Sequence, residues 1–129
     1  MLRNQREKAY KLFIEDFKRY GAKRYTSVEY PSTNFPDKQF SISLSSGFLF
    51  LYDDLLNYDF HRKTIFELLR ITTKEIRIWP IVNMRGNKSS LVESLINDND
   101  FNRFQICIEK VDYEFLRNSN KMMVIKNIT

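Results

Sequence analysis

The stretch Phe40–Tyr52, FSISLSSGFLFLY, carries more information than any other part of this chain. It begins as an alternating strand, reaches the small residues Ser45, Ser46 and Gly47, and continues as a second apolar run. A strand that ends in small residues forms the edge of the active site in many α/β enzymes. Downstream, the helical stretch FHRKTIFELLR and the apolar segment IRIWPI follow at intervals typical of a parallel sheet. We therefore expect an α/β fold with a crevice at the carboxyl ends of its strands.

Length and composition predict a single folded domain. Of the 129 residues, 43% are hydrophobic and 15% are aromatic, which is enough for one core and argues against intrinsic disorder. The chain has one cysteine, Cys107, so no internal disulfide forms, and no apolar run reaches the roughly 18 residues of a membrane span. The amino terminus is charged throughout and lacks the apolar segment of a secretion signal. We expect a cytoplasmic protein without membrane contact.

The first element is an amphipathic helix that ends near Gly21. Its basic residues, and the formal net charge of +5, favour an anionic partner, so a basic nucleic-acid-binding domain is one alternative. Acidic residues occur in every turn, however, and a solvated charged face explains the pattern better, so we do not expect nucleic acid to bind. The apolar stripe of this helix consists of Ala9, Leu12, Phe13, Phe17 and Tyr20.

The elements around the central strand follow from alternation and from turn signals. Lys23–Tyr30 alternates enough for a short strand, and residues 31–37, with two prolines, form the clearest loop. Phe40, Ile42 and Leu44 then mark one face of the next strand.

The second half of the chain alternates helices with strands. An almost uniformly apolar strand predicts burial on both sheet faces, and the last two strands predict a hairpin. The predicted elements are a helix over Phe60–Thr72 capped by Asn57 or Asp59, a strand over Ile76–Val82, a helix begun by a capping box at Ser90 and ending near Asn97, and strands over Phe104–Ile108 and Met122–Ile125.

Several strings, in the same order, resemble the carboxyl-terminal portion of class I S-adenosylmethionine-dependent methyltransferases. LSSGFLFLY, FH, ELLR, EIRIWPIVN, VDYEF and NKMMVI look like LSSHFLFLY, FH, EMLRV, EVRIFPL, VDYEF and NRML of one bacterial group of these enzymes. The similarity covers most of the chain from Phe35 to Ile125. It implies an incomplete Rossmann-like three-layer sandwich, the later half of a seven-stranded sheet that ends in an antiparallel hairpin. It also implies methyl transfer, with S-adenosylmethionine as the cofactor.

The chain departs from the family pattern where the cofactor binds. The family usually has an acidic residue at the position of Ser41 and a histidine at that of Gly47. Its cofactor grip needs glycines a few residues apart and a carboxylate for the ribose hydroxyls, whereas Gly21, Gly47 and Gly86 are widely separated. We therefore expect residues 1–129 to be one methyltransferase-like domain that lacks its amino-terminal cofactor-binding half and has little activity alone. A non-catalytic interaction module is the alternative.

The missing half has a consequence for the sheet. In the resembling fold the strand that starts at Phe40 lies beside the first strand, in the middle of the sheet, and here it becomes an edge. Ile42 and Leu44 would then expose an apolar ladder of the kind that proteins normally charge, shorten or cover. We expect either that Lys23–Tyr30 folds back over this edge, or that a second chain or second copy covers Phe40–Leu44.

The candidate site residues follow the central strand. By resemblance they surround the methionine part of the cofactor and the acceptor, while a tight turn of small residues is the alternative. Asp53 and Asp54 are interpreted as the start of a helix, where carboxylates complement the dipole. His61 is the single histidine, which excludes a multi-histidine metal site, and no catalytic residue is assigned. The predicted cofactor- or substrate-binding residues are Ser45, Ser46, Gly47, Phe48, Tyr52 and His61.

Overall fold

The computed structural model describes residues 2–128, which form a mixed α/β fold with an open four-stranded sheet and three α-helices, two of which pack on it. None of the helices described has the length and hydropathy of a membrane-spanning segment. The helices are α1 (Leu2–Tyr20), α2 (Tyr58–Ile71) and α3 (Ser90–Ile96), with 3₁₀ turns at Gly21–Lys23 and Asn99–Phe101, and the strands are β1 (Phe40–Ser46), β2 (Thr72–Trp79), β3 (Phe104–Lys110) and β4 (Lys121–Asn127).

The strand order in the sheet is β1-β2-β4-β3. β1 and β2 are parallel and are connected through α2, whereas β4 is antiparallel to both of its neighbours. Ile106 of β3 lies opposite Ile125 of β4, so the predicted hairpin is confirmed. The sheet therefore combines one parallel pair with two antiparallel pairs, of which the β3–β4 hairpin forms the far edge.

The helix starts follow the capping signals closely. The Asn57 side chain accepts a hydrogen bond from the backbone N–H of Phe60 at 2.9 Å, which confirms Asn57 as the cap of α2. At α3 the cap is Ser89, whose hydroxyl accepts from the N–H of Leu91 at 3.2 Å. The capping-box assignment to Ser90 is therefore wrong by one residue.

β2 starts four residues before the predicted strand, because α2 passes into it at Thr72 without a connecting loop. It ends at Trp79, since Pro80 has no N–H to donate to a neighbouring strand. Ile76 and Ile78 are fully buried, whereas the alternate side chains are only half-buried. The expectation that both sheet faces are covered at this strand is therefore wrong.

The core lies on one face of the sheet, between the strands and the pair α2 and α3. Residues 3–20 of α1 include no buried residue, so the residues described form two layers instead of the three that were expected. The buried side chains that join helices to sheet are Ile65, Leu68 and Ile71 from α2, Val92 and Leu95 from α3, and Ile76, Ile78, Met123 and Ile125 from the strands.

β1 presents its apolar side chains to the uncovered face. Ser43 and Ser45 pair in register with Ile76 and Ile78 and share their covered face. Ile42 and Leu44 lie on the opposite face and are 45% and 75% exposed. The register shifts between Phe40 and Ile42, so the predicted common face of Phe40, Ile42 and Leu44 is also broken.

The outer edge of β1 has no strand partner among residues 2–128. Lys23–Tyr30 is not a strand: after the 3₁₀ turn it is irregular, apart from an isolated bridge between Glu29 and Ser32. The expectation that this segment folds back over β1 is therefore wrong. Residues 31–37 instead run beside α2, where Thr33 donates to the Glu67 carboxylate.

Candidate functional site

Three connections meet at one edge of the sheet. β1 and β2 are parallel, so the segments that follow them, residues 47–57 and 80–89, leave from the same edge. β4 runs antiparallel to β2, so the connection from β3 to β4, residues 111–120, returns to this edge as well. The crevice predicted from the sequence is thus bordered by these three segments.

Gly47 forms the turn at the end of β1. Its N–H donates to the carbonyl oxygen of Trp79 at 2.9 Å, which extends the pairing of β1 with β2 by one step. Its φ is +70°, a conformation that favours glycine, and a Cβ at this position would meet no atom within 4 Å. The turn therefore faces open space.

Phe48 is the first side chain after the turn, and it is half-buried. Its ring lies 5.9 Å from the rings of both Tyr30 and Phe60, measured between centroids. Together with Ser45, Ser46 and Gly47 it forms a continuous rim at the end of β1. Binding of cofactor by this rim remains a prediction.

Tyr52 lies further along the same connection, and its side chain is exposed. Its carbonyl oxygen accepts from the N–H groups of Leu55 and Leu56 at 3.1 and 2.9 Å, so its backbone closes a turn. Asp53 and Asp54 belong to this turn and precede Asn57, the cap of α2. Their interpretation as the start of a helix is therefore wrong.

His61 is fully buried, in the first turn of α2. Its Nε2 accepts from the N–H of Phe50 at 2.8 Å, and its Nδ1 lies 2.9 Å from the carbonyl oxygen of Asn57. Because a carbonyl can only accept, Nδ1 carries the proton and the ring is neutral. Burial lowers the pKa of His61, which favours the same neutral form.

The role of His61 is to fix the connection after β1. Phe50 is buried with a φ of +69°, a conformation that costs an ordinary residue about 1–3 kcal/mol and persists only where surrounding contacts hold it. The hydrogen bond from its N–H and the stacked ring of His61, 5.4 Å away, supply such contacts. With both ring nitrogens engaged inside the protein, His61 lies in the core and not at the crevice.

The connections after β1 and β2 are linked to each other. The Asn83 side-chain amide donates to the Asp53 carboxylate at 3.2 Å, and the N–H of Met84 donates to the carbonyl oxygen of Leu51 at 3.1 Å. No sequence motif predicts this link, because Asp53 and Asn83 are 30 residues apart and belong to irregular segments.

The connection from β3 to β4 is attached to the end of β2. The indole N–H of Trp79 donates to the carbonyl oxygen of Ser119 at 2.6 Å, and the ring of Tyr113 packs 5.5 Å from that of Trp79. The Asn118 amide donates to the carbonyl oxygen of Gly86 at 3.2 Å. A partly buried tryptophan normally needs an acceptor for its N–H, which was the one sequence signal for this contact.

A cavity of about 510 Å³ lies between the second and third connections. Its polar lining consists of amides and ammonium groups, and the Lys88 ammonium is shared with the Glu93 carboxylate at 2.8 Å. Such a lining suits a ligand with anionic or hydrogen-bonding groups. Within residues 2–128, no three His, Cys, Asp or Glu side chains are grouped closely enough to hold a metal ion. The polar residues of the lining are Asn87, Lys88, Asn118, Asn120 and Lys121.

Comparison with known proteins gives one informative similarity. The chain is 48% identical over 121 residues to the uncharacterized protein MJ0045 of Methanocaldococcus jannaschii. The match covers 94% of this chain and 52% of that protein, so the chain spans about half the length of the relative. No protein-family model matches the chain, and the search of solved structures gives no significant match.

Proposed function

We propose that this chain is the carboxyl-terminal half of a Rossmann-type, S-adenosylmethionine-dependent methyltransferase, and that it acts once an amino-terminal half completes the sheet. The observation that carries the proposal is the parallel pair β1–β2, with a turn of small residues at its carboxyl edge and an antiparallel pair beyond it. The resemblance implies this arrangement for the later half of the methyltransferase sheet. The string LSSGFLFLY runs from the end of β1 into the connection after it, and VDYEF begins the connection from β3 to β4, so both reach the crevice edge.

The fit of the cofactor to this chain is partial. Gly47 offers a backbone that a ligand can approach closely, since no atom lies within 4 Å of the position of its missing Cβ. The glycine-rich turn and the carboxylate that would hold the adenosine part are not recognisable in the sequence. In the proposal, the rim 45–48 therefore forms one wall of the cofactor site, and the completing half forms the other.

The work of this chain's residues in the proposed reaction is positioning. The cofactor supplies a methyl group on a sulfonium, and transfer requires the acceptor to be held in line with it. The 510 Å³ cavity opens at the same sheet edge as the rim, and Lys121 and Asn120 line it. An acceptor with an anionic or amide group fits that lining. No side chain of the rim needs to act as a base unless the acceptor starts protonated.

Calorimetric titration with S-adenosylmethionine tests the proposal. The purified chain alone should give no binding heat, whereas the chain combined with the half of the M. jannaschii relative that it does not match should bind with a micromolar dissociation constant. Micromolar binding by the chain alone would show that this chain contains a complete cofactor-binding site. Absence of binding by an assembled, folded complex would exclude the methyltransferase proposal.

A non-catalytic interaction module is the second candidate. It is favoured by the replacement of two polar family positions by Ser41 and Gly47, and by the exposed apolar side chains of α1 and β1. The same titration separates the two functions, because an interaction module assembles with its partner without acquiring affinity for the cofactor.

A further inference from the structure

We infer that the outer edge of β1, with Ile42, Leu44 and the apolar stripe of α1, docks a complementary polypeptide that supplies a strand parallel to β1. The partner is the equivalent of the half of the M. jannaschii relative that this chain does not match. The inference rests on the proposed function and names the partner that completes the site.

The backbone of β1 is ready to pair on its outer side. The N–H of Gly47 points to β2, and backbone direction alternates along a strand. The backbone N–H groups of Ser43 and Ser45 therefore point to β2 as well. Those of Ile42, Leu44 and Ser46 point outward. No strand among residues 2–128 accepts from these outward groups.

β1 lacks the features that protect a natural edge strand. Proteins protect such edges with lysine, proline, bulges or a covering element. The outer strand has the sequence SISLSS from Ser41 to Ser46, without a charge or a proline, and its register irregularity lies at its start, between Phe40 and Ile42. The neighbouring charges on the uncovered face, Glu75 and Arg77, pair with each other at 2.8 Å. The surface beside the edge is therefore apolar and electrically balanced.

α1 has the same need for a partner. It precedes the parallel strand β1 in the chain as α2 precedes β2, and α2 buries its apolar side against the sheet. The stripe of α1 meets side chains that follow the helix directly: the ring of Tyr25 lies 5.3 Å from that of Phe13 and 5.2 Å from that of Phe17, and the Arg24 guanidinium lies 3.9 Å from the ring of Tyr20. A sheet extended beyond β1 would give this stripe a surface to cover.

The length of the M. jannaschii relative favours a complementary half over a second copy of this chain as the partner. The relative matches 94% of this chain at 48% identity, and this match covers only 52% of its own length. The rest of the same molecule is therefore about as long as this chain. A strand of that additional part can run parallel to β1. Two copies related by a two-fold axis would instead pair β1 with β1 in antiparallel fashion. The parallel arrangement continues the direction of β1 and β2 and brings the partner's strand ends to the crevice.

Co-expression of the full chain with the unmatched half of the relative tests the inference. We expect copurification and a one-to-one complex by light scattering. Leu44→Lys should weaken the complex by at least about tenfold, since it places a charge in a dry interface. The isolated Leu44→Lys chain should keep its urea midpoint, because the side chain is exposed there.

Ile42→Lys and Ile96→Lys provide a matched pair. The two isoleucines are 45% and 41% exposed, but Ile96 lies on α3, away from β1. Only Ile42→Lys should weaken the complex. Equal weakening by both, absence of a soluble complex, or self-association of the chain through β1 would each overturn the inference. A complex that forms but does not bind S-adenosylmethionine would support the docking surface and reject the proposed function.

Discussion

The two longest helices of the molecule have similar sequence patterns and opposite environments. Both carry an apolar stripe with helical spacing and precede a parallel strand. In α2, Ile65 and Leu68 are buried against the sheet, whereas in α1 Leu12 is 61% and Phe13 is 52% exposed. Periodicity thus shows which side of a helix is apolar, but not whether the surface that covers it belongs to the same chain. Because α2 is buried and α1 is exposed, the packed core of this chain ends at β1.

Matched leucine truncations should give the largest difference between the two helices. Leu68→Ala removes a buried side chain and should lower the free energy of unfolding by about 2–5 kcal/mol. Leu12→Ala removes an exposed one and should change it by less than about 0.5 kcal/mol in the isolated chain. Urea unfolding of both variants measures this. A Leu12→Ala loss as large as that of Leu68→Ala would mean that α1 packs in solution.

Replacement of His61 tests whether the connection after β1 belongs to the stable unit. His61→Gln disturbs the contacts to Phe50 and Asn57 and should cost about 1–3 kcal/mol, since buried polar groups lose partners. Urea unfolding at neutral pH measures the loss. A loss near zero would show that the connection is not held by this side chain.

The pH dependence of stability, compared between the natural protein and His61→Gln, gives a second test of His61. Burial lowers the pKa of His61 below the ordinary histidine value of 6.5, so the unfolded chain takes up the proton first as pH falls. Stability of the natural protein should therefore decrease as pH drops below about 6.5, down to the pKa of the folded state. His61→Gln should lack this component. Identical pH profiles would contradict a buried neutral imidazole.

Glu67→Gln tests how firmly the segment between α1 and β1 is held to α2. The hydrogen bond from Arg70, and to a smaller extent those from Thr33, lower the pKa of the Glu67 carboxyl to about 2. The variant should lose about 1–2 kcal/mol at pH 7, because the charge-assisted bonds to Arg70 weaken. That stability is present above the ordinary pKa of 4.5 and is lost as pH falls toward 2, so the two proteins should converge there.

Glu93→Gln is the control for Glu67→Gln. Glu93 pairs with Lys88 at 2.8 Å, but both side chains are exposed, so its replacement should change stability by less than about 1 kcal/mol. Equal effects of the two replacements would show that the anchor at Glu67 contributes no more than a surface ion pair.

Gly47→His tests whether the turn at the end of β1 is open. The substitution places a histidine in open space, and its cost is the positive φ, about 1–2 kcal/mol or less where the side chain bonds locally. Thermal unfolding measures the change. A loss above about 3 kcal/mol would indicate that the turn is packed and not open.

The sequence predicted the elements whose determinants are local. The end of α1, the cap Asn57 and the β3–β4 hairpin follow from capping and alternation, and the structure has them at or near the expected residues. The strand over Lys23–Tyr30 was wrong because weak alternation without a partner strand does not form a ladder. The orientation of β1 was not predictable, since the buried face of a strand depends on which surface is covered.

The candidate site was predictable in position but not in its contacts. The rim 45–48 ends β1 at the shared edge, as the small residues indicated. The burial of His61 depends on Phe50, whose positive φ has no signature in the sequence. The contact between Asp53 and Asn83 likewise depends on how two irregular connections approach each other.

Amide hydrogen exchange across β1, at a concentration where light scattering shows a monomer, tests whether the outer edge of this strand is uncovered. We expect the outward amides of Ile42, Leu44 and Ser46 to exchange nearly as fast as in an unfolded chain, whereas those of Ser43 and Ser45 are protected by β2. Protection of both sets in the monomer would mean that the chain covers its own edge, and it would contradict a docking surface at β1.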